Sequence, residues 1–188
     1  MRAIRGSSSS RFGKIPAMDE KTDLIYGPPG RALRKLYAGS GAFTPPARTL
    51  AGITSEQAAA RPAGAPHSIA EIVAHMHFWQ EWALGAAAGD APPIPEHAEL
   101  GWPSDLEWEA LRDAYLAGVS RAEGVALDDE AMARRLAFEG AEALGWHRYT
   151  AGFMLADIGM HNAHHLGQVV LLRQLLGAWP PGGGGVTW

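Results

Sequence analysis

The residues best suited to chemistry lie late in the chain, in the run His161-Asn162-Ala163-His164-His165-Leu166-Gly167-Gln168. On a helix of 3.6 residues per turn, His161 and His165 stand one above the other, a spacing that lets two imidazoles share one metal ion. Two ligands make half a site. A catalytic zinc-like centre takes three protein ligands and keeps one position for water or substrate, and the third ligand must come from another helix. His75 is the natural third. His164 falls roughly 60° to one side of His161, near the edge of the buried stripe, and ranks below its neighbours. Asp157, four residues before His161, could accept a hydrogen bond from a ligand's second ring nitrogen, and Gln168 could orient water or substrate. The competing reading is that these are satisfied core histidines, because a pair at this spacing arises easily among eight histidines.

Two helices must position these side chains. The later one is expected from Thr150 to about Leu176, with Met154, Ile158, Leu172 and Leu175 in line with His161 and His165, and it closes at Gly177 before Pro180-Pro181. The earlier one opens on the capping box Ser68-Ile69-Ala70-Glu71 and buries Ile69, Ile72, Val73, Met76, Trp79 and Ala83. His75 lies beside that stripe and His77 projects roughly 100° or more from its centre.

Other elements complete the bundle. Arg31 to Tyr37 makes two turns with Leu33, Leu36 and Tyr37 inward, after the Gly27-Pro28-Pro29-Gly30 turn. Thr44 caps a helix from Ala47 to about Ala60 with a weak point at Gly52-Ile53-Thr54. Pro92 to Pro103 reads as a loop, and Ser104-Asp105-Leu106-Glu107 repeats the capping-box pattern before a long helix to about Gly124, whose core face is Trp108, Leu111, Tyr115 and Val119. A short helix from Asp128 to about Leu136 and a connector over Glu139 to His147 follow. No alternating run is long enough for a strand. The expectation is an all-α four-helix bundle with short extra helices in its connections. It occupies residues 18–181, between a basic, serine-rich tail over 1–17 that reads as disordered and a glycine-rich tail over 182–188.

Composition removes several function classes. A net charge of -4 and the lack of a basic stripe argue against nucleic acid as a partner. No cysteine is present, which rules out thiolate ligands, disulfides and a cysteine nucleophile. No apolar stretch reaches the roughly 18 residues of a membrane span and no secretory h-region stands near the start, so no membrane partner and a cytoplasmic location are expected. The Gly-x-Ser-x-Gly elbow, the phosphate-binding glycine loop and the His-Glu-x-x-His protease motif are all missing.

Ser68-Ile69-Ala70-Glu71-Ile72-Val73-Ala74-His75, followed by His161-x-x-x-His165-x-Gly167-Gln168, Leu171-Leu172-Arg173 and Leu176-Gly177, resembles the DinB/YfiT-like superfamily of metal-binding four-helix bundles. The likeness runs from about Thr44 to Pro181. It implies one divalent metal, typically nickel or zinc, on His75, His161 and His165, and often a homodimer. Members of known activity are mostly thiol-dependent transferases and isomerases using bacillithiol, mycothiol or glutathione, and many have no known activity. What the resemblance implies here is a metal-dependent thiol S-transferase acting on a small-molecule substrate, with a low-molecular-weight thiol as cosubstrate because the chain has no cysteine. A metal-water hydrolase on the same site and a non-catalytic helical module that binds a small molecule or partner are the rivals. The first helix, broken around Gly39 to Pro46, departs from the family pattern.

Overall fold

The computed structural model describes residues 23–39, 43–90 and 106–182. The expected tail over 1–17, all but Gly182 of the expected tail over 182–188, and the loop with His97 and Trp102 lie outside them.

Four helices form the body: α1 (Gly30–Ala38), α4 (Ile69–Ala88), α5 (Trp108–Val125) and α7 (Ala151–Leu175). Three short ones fill the connections: α2 (Pro46–Leu50), α3 (Ser55–Ala59) and α6 (Asp129–Ala133). This is an all-α bundle in which α4 packs against both α7 and α5, while α1 packs against the same two. Leu33 and Tyr37 of α1, Met76 of α4, Leu111 of α5 and Leu155 and Val169 of α7 are fully buried between them. The Tyr37 hydroxyl donates to the Leu155 carbonyl across 2.8 Å, tying α1 to α7.

The starts of α4 and α7 are chemically set. Ser68 accepts from the Glu71 amide while Glu71 accepts from the Ser68 amide, satisfying two backbone donors that a helix start leaves free. Arg61 pairs with the same Glu71 carboxylate. Thr150 caps α7 by accepting from the Phe153 amide. Just before it the chain is clamped by isolated bridges, Ile25 with Tyr149 and Arg135 with Thr150, the only strand-like pairing among the described residues.

Four details differ from the sequence expectation. The helix expected over Ala47 to Ala60 is two helices, because Gly52 adopts φ +69° and Thr54 restarts the chain as a new capping box with Gln57. The indole N–H of buried Trp108 donates to the Ile53 carbonyl at that break, and Pro45 rather than Thr44 is the N-cap of α2. Second, α5 starts at Trp108 with Glu107 as its N-cap and no side-chain cap, later than the start read from the Ser104 box, of which Ser104 and Asp105 lie outside the described residues; buried Trp108 opens the helix. Third, α6 stops at Ala133, short of Leu136, because Arg135 leaves the helix to bridge Thr150. Last, Leu175 is 60% exposed. Ten residues beyond His165 at about 100° each bring it round by some 80°, out of the buried seam.

Candidate metal centre

Midway along the α4–α7 seam the three histidines meet. Nε2 of His75 lies 3.0 Å from Nε2 of His161, which lies 3.2 Å from Nε2 of His165. Among the described residues these side chains form a group whose ligand atoms could all reach one ion. A tetrahedral ion with bonds near 2.0–2.1 Å holds neighbouring ligand nitrogens about 3.3 Å apart. The observed separations fit that within a few tenths of an ångström.

Burial keeps the rings neutral. It pushes His75 down to about 4, helped by the neighbouring His161 and His165, since a second positive charge would be repelled there. Burial also lowers His165 to about 4 against the opposing pull of Gln168, and it lowers His161 against the pull of Asn162 and Asp157. Neutral imidazole is the form that binds metal, so the cluster is ready for a cation near pH 7 without first releasing protons.

The far side of each α7 ring is held. Nδ1 of His165 lies 2.7 Å from Oε1 of Gln168, whose Nε2 lies 3.3 Å from Nε2 of His164. Nδ1 of His161 lies 3.3 Å from Oδ1 of Asn162. Asn162 in turn donates to Oε1 of Gln80 at 3.1 Å, and Gln80 donates to the Tyr115 carbonyl at 2.9 Å. Asp157 is exposed and borders a cleft with His75 and His161, while the outer ring nitrogens of His161 and His165 face Asn162 and Gln168. His164 is exposed. His77 is half-buried and faces Glu81 at 3.9 Å, away from the cluster.

Sequence reasoning overlooked Gln80 and Asn162, both fully buried. A signal existed: Gln80 falls between Met76 and Ala83, and Asn162 between Ile158 and Leu166, at helical core register where an amide needs partners. Two clefts adjoin the cluster. One, of about 510 Å³, is lined by His75, Trp79, Asp157, Ile158, Met160 and His161. The other, of about 560 Å³, runs from the segment Ala63 to His67 past Ile72 to His165, Gln168 and Leu172.

The family model of the DinB superfamily matches residues 47–169, well over half of the chain. The protein belongs to that superfamily. No curated protein and no solved structure matches the chain. Among the described residues no helix is long and apolar enough to cross a membrane.

Proposed function

We propose that His75, His161 and His165 hold one divalent metal ion, zinc or nickel, and that the protein is a metal-dependent thiol S-transferase using a low-molecular-weight thiol. The observation that carries this reading is the convergence of three neutral Nε2 atoms beside open clefts. A bound divalent cation would lower the pKa of a thiol and present it as thiolate. The chain supplies the rest. Three protein ligands leave room for an exogenous one, and with no cysteine present the sulfur must come from a cosubstrate.

The cleft beside His165 suits the electrophile. Ile72, Leu172 and the Ala63 to Pro66 segment shed water from it, while His67 and Gln168 offer the few polar groups that orient a ligand in an otherwise apolar pocket. In the transfer the new S–C bond forms as the leaving group departs with its electron pair, and the thiol proton must go to a base. Our candidate for that base is Asp157, the carboxylate that borders the cleft with His75 and His161. The same carboxylate supports the rival reading, a metal-water hydrolase, in which it would take a proton from water. A homodimer and a cytoplasmic location belong to the proposal too.

The test is elemental mass spectrometry on protein purified without a histidine tag, wild type beside His165→Ala. Near-stoichiometric zinc or nickel in the wild type, lost in the variant, is expected and justifies a screen of thiol cosubstrates. Two empty preparations that refuse added metal would leave a helical binding module with histidines in its core.

A further inference from the structure

The polar chain behind His161 has a direction. At its far end stands the Tyr115 carbonyl, which can only accept. Gln80 must therefore turn its NH₂ toward Tyr115, since the opposite amide orientation would set two oxygens 2.9 Å apart. That leaves Oε1 of Gln80 facing Asn162, which must present its own NH₂ across 3.1 Å. Oδ1 of Asn162 is then the atom facing His161, and an oxygen there is satisfied only if Nδ1 of His161 carries the proton. A neutral imidazole has one N–H. Its Nε2, the atom turned toward His75 and His165, is left as a bare lone pair.

The surroundings make room for this. Gln80 and Asn162 are fully buried, so no water exchange relaxes their orientations. Gly118, one turn beyond Tyr115 on α5, stands where a Cβ would collide with the Gln80 amide and come within 2.9 Å of the Glu81 carboxylate. A larger residue at 118 would push the amide off the Tyr115 carbonyl. Three helices thus contribute one conduit: α5 its carbonyl and glycine, α4 its glutamine, α7 its asparagine and histidine.

We infer that the Tyr115 carbonyl, acting through Gln80 and Asn162, dictates which nitrogen of His161 bears its proton, making Gln80 and Asn162 positioning residues for the three-histidine centre. The inference rests on the metal-binding reading for its purpose, but the proton's location does not depend on metal. Hydrogen bonds to the outer nitrogen of a ligating histidine commonly change metal affinity 10–100-fold, about the size expected here.

The experiment reads ring-nitrogen NMR signals of ¹⁵N-histidine-labelled, metal-free protein at neutral pH, and separately zinc affinity by chelator competition. Wild type should carry the His161 proton on Nδ1. Gln80→Met should give a mixture of tautomers and about 10–100-fold weaker zinc binding in protein that still unfolds cooperatively. Gln168→Met, which touches His165 instead, should weaken zinc binding and leave the His161 tautomer alone. If Gln80→Met does not fold, Gly118→Ala displaces the same amide without removing it and should act in the same direction. A wild-type proton on Nε2 overturns the inference, as does a folded Gln80→Met protein with unchanged tautomer and affinity. Wild type that binds no zinc but holds the proton on Nδ1 would defeat the metal reading and leave the relay standing.

Discussion

Two buried polar regions lie side by side on the α4–α7 seam and behave oppositely. The amides of Gln80 and Asn162 form a closed network, in which donor meets acceptor until a backbone carbonyl ends the line. The histidine cluster beside it is open: the outer nitrogens of His161 and His165 face amide oxygens, and their inner nitrogens point toward each other and His75. A closed network can satisfy itself with neutral groups and so acts on shape and orientation. Convergent lone pairs gain most from a cation, which places the ligand's binding energy in the open region and its geometry in the closed one.

The largest expected effect comes from filling the open region. Zinc or nickel at 100 times its dissociation constant should stabilise the fold by about 2.7 kcal/mol, raising the thermal midpoint by roughly 5–10 °C for a chain of this size. Calorimetry with and without metal checks it, and an unchanged midpoint would deny the region its cation. Next comes the closed network. Asn162→Ala strands a buried Gln80 oxygen and should cost about 1–3 kcal/mol in the metal-free protein. His161→Ala, at a half-buried position, should lower the metal-free midpoint less than Asn162→Ala while abolishing metal binding. The reverse order in thermal melts would erase the distinction between the two regions.

Acid separates them as well. His75 and His165 sit near 4 in the folded protein against 6.5 for the ordinary group, so the unfolded chain takes up protons first as pH falls. Their contribution is complete above about 6.5 and is lost as pH drops toward 4, a window in which the metal should also leave. The amides do not titrate, so a His75→Gln variant should show a shallower slope over that window in pH-dependent urea unfolding. Gly118→Ala tests the boundary: in an open helix the change gains up to about 1 kcal/mol, and here the displaced Gln80 amide should turn that gain into a loss, read as a lower urea midpoint. Ser68→Ala, which removes the α4 cap below both regions, should cost about 1 kcal/mol and move neither metal affinity nor the His161 proton.

Much of this was legible in the residues alone. Local chemistry within a few positions sets the Ser68–Glu71 cap, the Thr150 cap and the one-turn stacking of His161 over His165, because each depends only on neighbours along the same helix. The superfamily was readable from the order of His75, His161 and Gly167-Gln168, and the family match agrees. Where contacts across the bundle compete with local preference, the reading failed. Trp108, buried with its indole N–H on the Ile53 carbonyl, opens α5 later than local pattern suggested, and the same carbonyl lies at the break that divides α2 from α3. Sequence order likewise could not reveal that the Tyr115 carbonyl, 35 residues beyond Gln80, would end a chain leading back to His161. Periodicity determines which face of each helix is buried. Which polar groups then meet on those faces, and in which direction their protons point, is decided only when α4, α5 and α7 pack, because hydrogen-bond partners that far apart are chosen by distance in space.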